Sequence, residues 1–223
     1  MIEETEYLVA GRAFAGVLAT PSSSGIPRGG IVVFHGGRGL EAHDRTQCAR
    51  LAELGYVAFA PDLFGEPFRD RAHGIAVIGA LIAAPERLRE RATAAWRVLA
   101  DRGLPTAAVG HCFGGLAALE LARSGADVRA VASFHGGLAT RAPARRGEVR
   151  ARVLICTGSE DPHAPRDART AIEDELSAAD VDWQLLVLAG AQHGFTLEGA
   201  AYHAASDRRS WRAFTGLLDE VMP

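Results

Sequence analysis

Residues 107–115, Ala-Ala-Val-Gly-His-Cys-Phe-Gly-Gly, constrain this chain more than any other stretch. An apolar run, Ala107 to Val109, leads in, and a helix-like run, Leu116 to Arg123, leads out. Gly110 stands two residues before Cys112 and Gly114 two after it. Strand, sharp turn and helix with that glycine spacing form a nucleophile elbow, which pushes one side chain forward from a crowded backbone. The crowding is what requires glycine, because a Cβ at those positions would hold strand and helix apart. Here the side chain is a thiol, so Cys112 is the expected nucleophile.

The rest of the chain fits a sheet that carries such a turn. Residues 5–10 and 12–20, with Gly11 between them, predict a hairpin, and residues 21–27 a loop. The short continuous apolar run at residues 31–34 reads as a strand buried on both faces, residues 56–60 as the next buried strand, and residues 128–134, 153–156 and 183–188 as further strands. Between them lie helical patterns: residues 42–54 stopping at Gly55, a helix opening at Pro85 with Leu88, Ala92, Ala95, Trp96 and Leu99 on one face, Ala168, Ile172 and Leu176, and a last helix with Trp211, Phe214, Leu218 and Val221. Residues 64–83 read as a loop and a short helix crossing over the site. The alternation predicts an α/β fold with a mostly parallel sheet, helices on both faces and an N-terminal antiparallel hairpin, in one domain over residues 1–223.

Composition narrows the partners. The net charge of −3 gives no reason to expect nucleic acid or an anionic membrane, and no apolar run approaches the length of a membrane span. All 24 cationic residues are Arg. The opening Met-Ile-Glu-Glu does not read as a leader, and the three Cys, at 48, 112 and 156, suggest neither a disulfide framework nor a metal site. A cytoplasmic location is the resulting expectation. Cys48 on a helix face and Cys156 within an apolar strand read as packing residues. His35, His43, His111, His135 and His163 lack the spacing of a zinc site, so no metal is expected.

Reactive groups of such sheets gather at the carboxyl ends of the strands. Cys112, Asp161 and His193 all fall there, in the order nucleophile, acid, base. A free thiol is mostly protonated at neutral pH, so attack needs a nearby imidazole and favours a helix N-terminus. His193 is the expected base and Asp161 the group that fixes its tautomer. Backbone N–H groups of Phe113 and of Gly37, in the loop His35-Gly36-Gly37-Arg38-Gly39, are the expected oxyanion donors. A glutamine-amidotransferase-like site also uses a Cys elbow, but would want an acidic residue at the position of Phe195. A binding module with a vestigial site is the non-enzymatic alternative.

The segments 35–40, 55–65, 110–115, 133–137, 158–162 and 193–195, together with residues 202–211, resemble the dienelactone hydrolase family of α/β-hydrolases. The resemblance covers most of the chain and implies Cys112, Asp161 and His193 as a triad. It also implies cofactor-free hydrolysis of a small ester or lactone through an acyl-thiol intermediate. Two positions depart from the family pattern. Dienelactone-cleaving members carry a Glu after the third strand that holds the resting Cys, where this chain has Gly36. They also grip the substrate carboxylate with an Arg shortly after the triad His, where this chain has Leu197. Arg38 and His135 are the candidate substrate contacts, with Arg69 and Arg71 as further cations.

Overall fold

In the computed structural model, residues 1–22 and 25–222 are described; residues 23 and 24 of the loop expected at 21–27 lie outside them. Eight strands form one sheet: β1 (Ile2–Val9), β2 (Arg12–Ala19), β3 (Gly29–Phe34), β4 (Tyr56–Pro61), β5 (Thr106–His111), β6 (Ala130–Phe134), β7 (Arg152–Gly158) and β8 (Trp183–Leu188). Their order is β1-β2-β4-β3-β5-β6-β7-β8. The six strands from β4 to β8 in that order run parallel, and β2 joins β4 antiparallel. β1 and β2 pair through a two-residue turn whose Ala10 and Gly11 both have positive φ, 48° and 79°. That backbone matches the twist of a hairpin, and glycine adopts it at no steric cost.

Among the described residues six helices cover the sheet: α1 (Ala42–Glu53), α2 (Arg71–Ala83), α3 (Pro85–Ala100), α4 (Phe113–Arg123), α5 (Arg166–Ala178) and α6 (Ala204–Val221). Strand side chains alternate between two cores. Val32, Phe34, Val57, Phe59, Ala108 and Val131 pack with residues of α3, α4 and α5, while Ile31, Val33, Ala58, Ala60, Val109 and Ala132 pack with α1 and α6. Burial on both faces is why these strands read as unbroken apolar runs. Cys48 and Cys156 sit fully inside the α1/α6 core, where burial pushes both thiols up.

The loop and helix expected within residues 64–83 are present, but the helix, α2, is longer than expected. Residues 71–83 form a full 13-residue helix, capped by Asp70, whose carboxylate accepts the His73 N–H at 2.8 Å. Its sequence hides it, because no polar stripe offsets the apolar one: Ile75 and Ile82 face solvent at 61% and 45% exposure, while Leu81 is buried. Gly74 and Gly79 further weaken the helical signal.

The α3/α4/α5 side also holds a charged network. Glu120, 1% exposed, accepts from Arg89 Nε at 2.7 Å and from Arg123 Nη1 at 2.9 Å. Arg123 gives two further hydrogen bonds to Glu175, at 2.8 and 2.9 Å, and one to the Leu138 carbonyl. Removing one partner leaves a buried guanidinium under-compensated. Glu120→Ala should therefore lower unfolding free energy by about 3 kcal/mol, read by chemical denaturation, against less than about 1 kcal/mol for the exposed Arg146–Asp180 pair.

Candidate active site

β5 delivers Cys112 and α4 begins at the next residue. Cys112 has φ 55° and ψ −117°, a backbone that side chains seldom adopt. Its N–H donates to the Phe134 carbonyl at 3.0 Å and lies 3.1 Å from Nδ1 of His135. The elbow glycines are needed for close approach. A Cβ on Gly110 would stand 1.9 Å from the Gly114 carbonyl oxygen, and one on Gly114 would stand 2.0 Å from that of Phe34. On the far side Gly115 and Gly136 touch backbone to backbone, with Ser133 Oγ wedged against both.

The other two groups arrive on the loops after β7 and β8. These loops lock together: Gly158 has room for no Cβ against the Ala191 carbonyl, at 2.1 Å, and that carbonyl accepts from Glu160 N–H at 3.0 Å. Asp161 Oδ2 lies 3.0 Å from His193 Nδ1, and Asp161 Oδ1 accepts the His163 N–H at 2.8 Å. His193 Nε2 lies 3.1 Å from Cys112 Sγ. One imidazole thus joins carboxylate to thiol. The N–H groups of Phe113 and Gly37 both face the sulfur. Gly37 is steadied by its loop, in which His35 Nε2 accepts the Leu63 N–H and His35 Nδ1 donates to the Gly36 carbonyl.

Charge follows this geometry. Burial raises the Cys112 thiol, but the hydrogen bond and charge of His193, then the Phe113 and Gly37 amides, outweigh it and leave the thiol below its ordinary value. Burial opposes charge on His193, yet the bonds to Asp161 and then Cys112 hold it well above the usual imidazole range. Asp161 is held below the usual carboxylate value, burial notwithstanding, by the His193 hydrogen bond and the His163 amide. The arrangement favours thiolate, imidazolium and carboxylate side by side.

Cys112, Asp161, His193, Phe113 and Gly37 therefore meet at one point. His135 lies beside them but is wholly buried beneath the elbow, with Nδ1 at the Cys112 amide and Nε2 2.7 Å from Thr196 Oγ1. Burial, then the charge of His193, pushes it down to about 3, so it is a neutral acceptor whose remaining proton points to Thr196. Sequence pattern does not reveal that contact, because a His after a strand carries no mark of which nitrogen is engaged. Arg38 is exposed and tied to Glu41 at 2.9 Å, and Arg69 pairs with Glu66 at 3.8 Å, also on the surface. Among the described residues no group of three His, Cys, Asp or Glu is arranged to hold a metal ion, and no helix is long and apolar enough to cross a membrane.

Residues 14–222 match the model of the dienelactone hydrolase family. A Synechocystis sp. protein provisionally named a carboxymethylenebutenolidase is 28% identical over 222 residues, covering 89% of this chain and 88% of its own. A crystal structure of a dienelactone hydrolase-like promiscuous phosphotriesterase from metagenomic libraries is 33% identical, covers 100% of this chain and 99% of its own, and superposes with a TM-score of 0.91. An acylaminoacyl peptidase from Pyrococcus horikoshii, 14% identical with a TM-score of 0.73, covers 100% of this chain and 42% of its own and shares the fold.

The thiolate is the form that reacts with alkylating agents. Since Cys112 is lowered and Cys48 and Cys156 are raised, iodoacetamide should label Cys112 first, with a midpoint below pH 9.0, the ordinary thiol value. His193→Gln removes the imidazolium while burial remains, so the midpoint should move up, above that value. Mass spectrometry of the alkylated peptides across pH checks both.

Proposed function

The chain belongs to the dienelactone hydrolase family and is an ester or lactone hydrolase; we propose that it works by covalent catalysis, with Cys112 as nucleophile, His193 as general base and acid, and Asp161 as the carboxylate that orients His193. The observation that carries this reading is the single imidazole 3.1 Å from the Cys112 sulfur and 3.0 Å from Asp161, beneath two amides that face the sulfur.

The chemistry runs in two halves. The Cys112 thiolate attacks the acyl carbon, and the carbonyl electron pair moves onto oxygen, which the Phe113 and Gly37 N–H groups receive. Collapse breaks the C–O bond, the leaving alkoxide takes the proton from the His193 imidazolium, and a thioester remains on Cys112. Neutral His193 then takes a proton from water as its oxygen attacks the thioester. Collapse of that second intermediate releases the acid and restores thiolate and imidazolium. With a lactone the alcohol stays tethered to the acyl group through the first half. Asp161 keeps Nε2 directed at the sulfur and stabilises the imidazolium throughout. The substrate is a small molecule, and no step calls for a cofactor.

Gly36 bears on the resting state. A Cβ there would stand 3.6 Å from that of Cys112, in ordinary contact, so the position would admit a side chain but holds none. No carboxylate at that position competes with His193 for the thiol, and Cys112 is primed before substrate arrives.

Cys112→Ala should reduce turnover of p-nitrophenyl esters by about 10³-fold or more, and rapid mixing of wild type should give a burst with one acyl group on Cys112 by mass spectrometry. Full turnover by Cys112→Ala would sink the nucleophile assignment. A ligand that raises the melting temperature with no turnover of any ester or lactone would instead favour a binding protein with a vestigial site. Gly36→Glu should slow iodoacetamide labelling of Cys112 without unfolding the chain; unchanged labelling would separate the primed state from the residue at 36.

A further inference from the structure

The site has a roof and a side wall that the proposed chemistry does not use. α2 lies directly on the loop that carries the Gly37 amide. A Cβ on Gly74 would stand 2.7 Å from the Gly37 carbonyl oxygen, so the helix backbone rests against that loop. One turn further on, Ile78 Cδ1 lies 3.4 Å from where a Cβ on Gly37 would stand. Ile78 is only half-buried, as is Cys112, so both border open space. From Ala72 to Pro85 the chain has no Asp, Glu or Arg. On the opposite flank Leu197, also half-buried, reaches within 3.8 Å of where a Cβ on Gly194 would stand, beside His193. An aliphatic side chain therefore stands beside the loop of the Gly37 amide, and another beside the turn that follows His193.

Electrostatics points the same way. With the Asp161 carboxylate ionised, the reacting centre carries one net negative charge whether the proton shared by Cys112 and His193 sits on sulfur or on nitrogen. Neither Arg38 nor Arg69 offsets it, since each is exposed and paired with a neighbouring carboxylate. A substrate carboxylate placed against the aliphatic side chain of Ile78 or Leu197 would lose hydration there, and Arg38 and Arg69 are engaged elsewhere.

We infer that Ile78 and Leu197 make this a site for esters with uncharged, apolar acyl groups, and that they are its specificity-determining residues. The inference rests on the reading of Cys112, His193 and Asp161 as a hydrolytic triad. Bound acyl chains lie along the aliphatic walls, while the carbonyl oxygen meets the Phe113 and Gly37 amides. Discrimination is then asymmetric. An added methylene gains modestly from the walls, whereas a terminal carboxylate pressed against them gives up hydration.

The test pairs p-nitrophenyl esters of matched length, butyrate against the mono-ester of succinate, on the intact wild-type chain and on Ile78→Arg, Leu197→Arg and Ile78→Ala. Wild type should favour the neutral ester in kcat/KM by about tenfold or more. Either Arg substitution should narrow or reverse that ratio, and Ile78→Ala should flatten the dependence on acyl length while leaving Cys112 labelling by iodoacetamide as in wild type. A wild-type ratio at or below one overturns the inference and leaves the triad reading standing. Ratios unmoved by all three substitutions overturn the assignment to these two residues. No hydrolysis of either ester, with Cys112→Ala indistinguishable from wild type, overturns the triad reading and this inference with it.

Discussion

Everything at this site depends on one residue being held in a backbone conformation it does not favour. Cys112, at φ 55°, is a non-glycine residue in left-handed space, which costs on the order of 1–3 kcal/mol. The compensation is local and can be traced atom by atom. Its N–H is taken by the Phe134 carbonyl and by Nδ1 of a neutral His135, and His135 is in turn anchored by Thr196 from the loop that carries His193. His135 itself has φ 42°, so two adjacent strands each end in a strained residue, and the two are hydrogen-bonded to each other. The constraint therefore comes from backbone and side-chain contacts at the ends of the strands, which fix where the sulfur stands.

The same economy explains the glycines. At Gly110, Gly114, Gly115, Gly136 and Gly158 a Cβ would collide with backbone or with Ser133, which is the physical content of motifs that otherwise read only as spacing. Three loops, after β3, β5 and β6, are thereby drawn within backbone contact, and the loops after β7 and β8 are drawn together in the same way. A family likeness seen as scattered glycine-rich motifs corresponds to these close approaches.

How much of this the sequence disclosed follows from the kind of signal involved. The inner parallel strands are buried on both faces, so each announces itself as an apolar run; the edge strand β8 is apolar in sequence but only Leu188 of it is buried. The helices with one buried stripe declare their faces. The nearness of Cys112, Asp161 and His193 to one another was legible because each follows the carboxyl end of such a strand. α2 was not legible as a full helix because it is apolar on its exposed side as well, and periodicity has nothing to contrast. The placement of His135 was hidden for a different reason. Whether a histidine beside a glycine pair touches substrate or supports backbone depends on the depth of the next strand, which residue type does not encode. Arg38 shows the converse: a cation next to the oxyanion loop is pulled outward by Glu41, three residues on, through a contact that the chain order permits but does not require.

The Glu120–Arg123–Glu175 network has a consequence for how substitutions far from the thiol are tolerated. α4 spans 11 residues, about 16 Å along its axis. Its first amide faces the sulfur, and its last turn is clamped by Arg123 to α5 and to the loop after β6. The helix is therefore a rigid rod pinned at both ends, with chemistry at one and structural charge at the other. Drift at the pinned end cannot be absorbed by sliding, because Gly114 and Gly115 leave no slack against their neighbours. Distance from the nucleophile is then a poor guide to neutrality, and sequence change in this fold should accumulate on the outer faces of α5 and α6 before it reaches the far end of α4.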